Sequence, residues 1–252
     1  MSLRNRLIAT SVGVGAGLLA ARVIGNLLGT GRSPNTVRSL PSGGSEVPVI
    51  TIANTSFNVK DASRVLSELR AAEGKSVLLV LHTLGSGIMP AVQIARAVRR
   101  HGRVTAFVPY HAMSGGTLVA IAAQKIYMWP DASLGPVDPQ LGMFSASSLL
   151  QVLEAKAIGA VDDYSIAMAH EAQKAVKQTE GLIRELVDTE AAVTRLVAGV
   201  TTHSYPIAFD EAKALGLRVE TAEISTSSEA IVRRALPRDE KRKECQCHYE
   251  VR

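Results

Sequence analysis

Two glycine-rich turns carry the residues of this chain best placed for chemistry. The first reads His82-Thr83-Leu84-Gly85-Ser86-Gly87, the second Tyr110-His111-Ala112-Met113-Ser114-Gly115-Gly116-Thr117. Each follows an apolar run and precedes a helical pattern, so each reads as strand, turn, helix. Ser114 then falls at a helix start, where backbone N–H groups lack partners and the positive dipole end lies. Such donors stabilise a developing oxyanion, so a serine nucleophile for acyl transfer fits this position. Gly115 and Gly116 let the backbone approach a substrate, and Gly85 in the first turn offers a second N–H. His82 and His111 border the turns and, with Ser86 and Gly87, could line the same pocket. Spacing alone also permits a plainer reading, an N-cap serine followed by glycines for close helix packing. Ala112 replaces the first glycine of the hydrolase pattern G-x-S-x-G. Neither a phosphate-binding G-x-x-x-x-G-K-[ST] nor a G-x-G-x-x-G is present.

The elements that must position these turns alternate. Residues 47–52, 76–81, 103–109 and 125–129 are short apolar or β-rich runs. Residues 61–73, 88–100, 114–123, 147–158, 164–200 and 209–215 have helical spacing. The run at 76–81 is continuously apolar, as in a strand buried on both faces. Strands alternating with helices predict an α/β fold with a mainly parallel sheet. In such sheets ligands bind beyond the carboxyl ends of the strands, where both turns would lie.

Composition narrows the classes. The chain has 252 residues, 46% of them hydrophobic, enough for a core and against a disordered chain. Two cysteines exclude a disulfide scaffold. A net charge of +5, with no zinc-finger spacing or RNA-binding aromatic signature, gives no reason to expect a nucleic-acid partner. Residues 7–21 run without a charge after Arg4 and Arg6, and Arg22 interrupts before the apolar pattern resumes. Tolerating Arg22, the span reaches the roughly 20 residues that a transmembrane helix needs. Residues 1–30 are therefore expected to form a single-pass membrane anchor. A cleaved signal peptide and an interfacial helix are the other readings. The basic residues on either side are too balanced to set an orientation. A Gly/Ser/Pro linker at 31–46, a domain at 47–236 and a charged tail at 237–252 complete the expected organisation. Cys245, Cys247 and His248 in the tail are spaced too tightly for a usual structural zinc site.

The segments His82–Gly87, Pro90–Arg96, Val108–Leu118 and Leu134-Gly135-Pro136-Val137-Asp138-Pro139-Gln140 resemble the serine dehydrogenase proteinase family. This family belongs to the ClpP/crotonase superfamily and is related to signal peptide peptidase A. Thr202-His203-Ser204-Tyr205-Pro206-Ile207 carries the resemblance further, and the whole spans about residues 47–219. It implies a ClpP/crotonase-like spiral of ββα units, usually assembled into a homo-oligomer. It makes Ser114 the nucleophile, with an oxyanion hole at the N–H groups of Gly85 and Gly115. It does not imply a dehydrogenase, and it calls for no metal or cofactor. Relatives often read T-P-G-G where this chain has Thr83-Leu84-Gly85-Ser86.

A serine hydroxyl needs a base. The Clp proteases use a histidine soon after the nucleophile, but that region here holds Asp138, Pro139 and Gln140. Signal peptide peptidase relatives use a lysine farther along, and Lys156, at a comparable distance, is the expected base, forming a Ser114–Lys156 dyad. Lysine serves as a base only when neutral, a state that burial favours. Lys125, Lys174 and Lys177 are the weaker lysine candidates. His82 and His111 are the rival bases, Asp138 is expected to hold its turn or orient substrate, and His203 to pin a loop. The expected function is a membrane-associated serine peptidase acting on peptides or membrane-protein segments. A crotonase-type acyl-CoA enzyme and a non-catalytic membrane scaffold are the alternatives.

Overall fold

A computed structural model describes residues 47–236. The expected anchor, linker and tail lie outside the described residues. Among the described residues, no helix is long and apolar enough to cross a membrane.

Five parallel strands form the main sheet: β1 (Val49–Ile52), β2 (Val77–Leu81), β3 (Val104–Val108), β5 (Lys125–Met128) and β10 (Val219–Thr221), in the order β1-β2-β3-β5-β10. Every residue of β2 is buried, which is why its sequence is apolar without alternation. A smaller sheet joins β4 (His111–Ala112), β6 (Ser133–Leu134) and β9 (Ile207–Ala208), and β7 (Gln140–Leu141) pairs antiparallel with β8 (Phe144–Ser145). Single bridges Phe57–Ser86 and Thr83–Ala112 bring the chain after β1 and β2 alongside that second layer. The repeating unit is thus a long strand, a short strand or bridge in the second layer, then a helix, as a spiral of ββα units requires.

The helices are α1 (Val59–Ala71), α2 (Ile88–His101), α3 (Gly115–Ile121), α4 (Ala146–Ala155), α5 (Asp163–Arg184), α6 (Glu190–Val197), α7 (Phe209–Ala214) and α8 (Thr226–Ala235). Helix α1 starts two residues before the sequence pattern suggested. Asn58 accepts from Lys60 N at 2.8 Å, while Asp61 accepts from Asn58 N at 2.9 Å. The helix expected over 164–200 is two helices, α5 and α6. Thr189 breaks it: its hydroxyl accepts from Ala192 N at 3.3 Å as the cap of α6 and donates to Leu215 O at 2.5 Å. The turn lets Leu186, Val193, Leu196 and Val197 all reach the core, where a straight helix would carry some of them away.

Arg218, just before β10, ties the end of α3 to the α5–α6 turn. Its Nη2 donates to Ile121 O at 3.0 Å and Leu186 O at 3.1 Å, and its Nη1 to Asp188 Oδ2 at 3.2 Å. The first two carbonyls stand at or just beyond helix ends and lack intrahelical partners. Arg218→Met keeps the aliphatic stem and removes the donors. It should lower the unfolding free energy by about 1.5–3 kcal/mol, the range for hydrogen bonds to a charged group, as read from denaturant titration.

Candidate active site

The two turns meet because β2 and β3 are adjacent and parallel, so both end on the same edge of the sheet. Thr83 N donates to His111 O at 3.1 Å and Met113 N to Thr83 O at 3.0 Å, stitching one turn to the other. On its far side the first turn is held by Leu84 N on Thr55 O at 2.9 Å and by Phe57 N on Gly85 O at 3.1 Å. Ser114 therefore sits on a loop fixed from both flanks.

The backbone at Ser114 has φ 50° and ψ −118°, and among the described residues no other non-glycine has positive φ. Such a conformation costs about 1–3 kcal/mol and is held only by surrounding structure. The Ser114 hydroxyl makes no capping bond to α3, so the reading as a plain N-cap fails. The surroundings are tight. A Cβ on Gly85 (φ 125°) would lie 2.9 Å from Ser114 Cβ, and one on Gly115 would lie 2.7 Å from Ser86 Oγ. Only glycine at both positions lets the turns close on each other.

Ser114 opens onto a cleft of about 630 Å³. Gly85, Ser86, Gly87, Gly115 and Asp138 line it too, together with Leu84, Ile88, Gln140, His203 and the α5 residues Ala175, Gln178, Thr179 and Leu182. Six sequence-predicted site residues, Ser114, Gly85, Gly115, Ser86, Gly87 and Asp138, are thus brought together.

Four others are placed elsewhere. Gly116 faces away from the cleft, where a Cβ would strike Thr83 Cγ2 at 2.7 Å, so its smallness serves packing. His82 and His111 lie outside the cleft lining. Their ring centroids are 4.2 Å apart, and His82 also meets Tyr110 edge-on at 5.4 Å. Burial, then the neighbouring His111, pushes the His82 pKa down to about 4, and burial lowers that of His111. Lys156 is the C-cap of α4, exposed and outside the cleft lining. Within one chain the structure does not bring it to Ser114, because α4 buries only Ala146 and leaves its C-terminal end in solvent.

The oxyanion donors differ in availability. Gly115 opens α3, so its N–H has no partner within the helix. The Gly85 N–H instead donates to the buried Thr83 Oγ1 at 3.1 Å and is occupied in this conformation. The preceding threonine supplies an acceptor two residues back that a glycine-based reading of the turn overlooks.

Sequence reasoning also missed a pair in the cleft lining. His203 Nδ1 lies 2.8 Å from Asp138 Oδ1, and Gln140 Nε2 donates to Asp138 Oδ2 at 2.7 Å. The two partners are 65 positions apart, and no local pattern links them. Asp138 is held in place by its own segment: Gly135 N donates to Thr117 Oγ1 at 2.9 Å and Val137 N to Leu196 O at 2.7 Å. Across described residues, no group of three or more His, Cys, Asp or Glu side chains is arranged to hold a metal.

Residues 46–231 match the model of a family described as ClpP-like SDH-type serine proteinase. Two uncharacterized proteins of Methanocaldococcus jannaschii are similar, at 40% and 35% identity over 174 residues, each alignment covering 66% of this chain. The chain spans about three-fifths of the length of these curated relatives, 61% and 59% respectively. Among solved structures, ClpP1 from Listeria monocytogenes is similar at TM-score 0.50 and 16% identity, covering 72% of this chain and 93% of that one, which shows the fold alone. A mutant of the 1510-N membrane-bound stomatin-specific protease with a substrate peptide aligns at TM-score 0.49 and 17% identity, covering 73% of this chain and 78% of that one.

The adjacent histidines give a pH dependence. In the unfolded chain His82 takes a proton near 6.5, whereas in the fold it stays neutral down to about 4. Between those values the unfolded chain binds more protons, so stability falls as pH drops through the window. Thermal melts from pH 7 to 4 should show a declining midpoint, and His82→Phe should flatten the decline.

Proposed function

Because the chain belongs to the ClpP-like SDH-type serine proteinase family, we propose that it is a serine peptidase with Ser114 as its nucleophile. One observation carries this reading. Ser114 is held in a strained left-handed backbone at a helix N-terminus, its hydroxyl caps nothing, and it opens onto a substrate-sized cleft. The cleft is open and has apolar stretches, as suits a peptide in extended form. The Gly115 N–H stands beside Ser114 to receive an oxyanion, and Gly85 would add its own if the Thr83 bond yielded to substrate.

The identity of the base is separate from that of the nucleophile. The expected Ser114–Lys156 dyad has an exposed lysine outside the cleft, so it requires a moved α4 or a neighbouring copy. Assembly into a homo-oligomer belongs to the proposal as well. Met143 (93% exposed), Phe144, Ile158 and Tyr164 leave apolar surface uncovered around α4. Attachment to a membrane through residues 1–30, with peptides or membrane-protein segments as substrates, rests on the uncharged run at 7–21.

A fluorophosphonate probe tests the nucleophile on the detergent-solubilised full chain. Wild type should label, and Ser114→Ala should lose both labelling and peptidase activity. Its stability should change by no more than about 1 kcal/mol, since no cap is lost. Equal labelling of both would reject Ser114 as the nucleophile, and absent labelling of wild type would favour a scaffold or an acyl-CoA enzyme. Lys156→Ala belongs in the same series: abolished labelling would establish the lysine dyad.

The full chain is expected to sediment with membranes and resist alkaline carbonate, and after solubilisation to elute above the size of a monomer. Recovery of the unprocessed chain as a soluble monomer without detergent would remove both the anchor and the assembly from the proposal.

A further inference from the structure

Building on the assignment of Ser114, we propose that His203, oriented by Asp138, is the group that takes the Ser114 proton. The contents of the cleft restrict the choice of base. Among the described residues that line the cleft, only Asp138 and His203 carry an acidic or basic side chain. Its lining includes no lysine. Asp138 is fully committed: its side chain is 2% exposed, one oxygen meets His203 and the other accepts from Gln140. That leaves the imidazole.

The bond to Asp138 also sets the state of the ring. A carboxylate oxygen accepts and does not donate, so His203 Nδ1 carries the hydrogen in the 2.8 Å contact. In the neutral ring Nε2 is then the accepting nitrogen, the tautomer a general base requires. The His203 side chain is 34% exposed, and it lines the cleft shared with Ser114, whereas Asp138 is buried behind it. A solvent-facing imidazole backed by a buried carboxylate is the arrangement of base and orienting group used in serine hydrolysis.

The surrounding structure holds the imidazole where the reaction needs it. Asp138 is fixed to α3 and α6 through the bonds of Gly135 and Val137 described above. The His203 loop is fixed by Arg195. The Arg195 side chain donates to Thr201 Oγ1 at 3.2 Å and Glu211 Oε1 at 2.7 Å, and its guanidinium lies 4.7 Å from the Tyr205 ring centroid. Both halves of the pair thus rest on α6, the helix that Thr189 separates from α5.

The reaction balances with these groups. Ser114 Oγ attacks the peptide carbonyl carbon as its proton passes to His203 Nε2, and the carbonyl π pair moves onto oxygen beside the Gly115 N–H. Collapse restores the carbonyl and breaks the C–N bond, while Nε2 returns the proton to the leaving amine. Water then attacks the acyl-enzyme and gives a proton to Nε2. The second collapse breaks the ester C–Oγ bond, and Oγ regains that proton.

The test measures fluorophosphonate labelling rates on the solubilised full chain for wild type, Ser114→Ala, His203→Ala, His203→Gln and Lys156→Ala, with and without added imidazole. Both His203 variants should label about 10²–10⁴-fold more slowly, the usual contribution of a general base. Imidazole should restore His203→Ala, whose side-chain space is vacated. It should do nothing for His203→Gln, which keeps a donor for Asp138 and fills the space. Lys156→Ala should label like wild type. Near wild-type labelling of either His203 variant overturns the assignment, as does a loss in His203→Ala that imidazole leaves unrepaired, or a loss confined to Lys156→Ala. Failure of the Ser114 reading looks different: wild type would not label, or Ser114→Ala would label equally, and the role of His203 would fall with it.

Discussion

The site depends on one steric constraint, the close contact of two turns at glycines that carry no side chain. Gly85 presses its Cα face against Ser114, and Gly115 presses against Ser86. At this separation Ser114 is forced into a left-handed backbone that serine does not favour. The strain is sustained by the stitching bonds between Thr83, His111 and Met113, and by the bonds from the chain after β1. Those bonds exist because β1, β2 and β3 are parallel neighbours and end together. The buried sheet is the rigid reference, and the reactive geometry is imposed at its edge.

The second layer closes the cleft. In the sheet of β4, β6 and β9, β6 leads into the segment holding Asp138 and β9 follows the loop holding His203. Helix α5 supplies the remaining wall through Ala175, Gln178, Thr179 and Leu182. Splitting the 164–200 region at Thr189 is therefore a functional as well as a packing feature. Helix α5 can line the cleft while α6 turns back to anchor both Asp138 and the His203 loop.

Polar groups near the site divide into two kinds. His82 and His111 sit among Tyr110 and one another, partly desolvated, and their lowered proton affinity reflects packing. Asp138 and His203 form a directional pair with a solvent-facing end. Adjacency to a glycine turn in sequence favoured the first pair. Position in the cleft favours the second, because chemistry needs an accessible lone pair.

The sequence by itself determined the α/β alternation, the buried parallel strands, and the two strand–turn–helix turns with Ser114 and its glycines. These are local: apolar runs, helical spacing and glycine placement are fixed by neighbours a few residues away. The tertiary structure decided what those patterns cannot carry. It turned the Gly85 N–H towards Thr83, broke the long helix at Thr189, moved His82 and His111 out of the cleft, left Lys156 in solvent, and paired Asp138 with His203. Each of these outcomes depends on where distant segments pack, and a hydrogen bond across 65 positions has no signature in the residues between them.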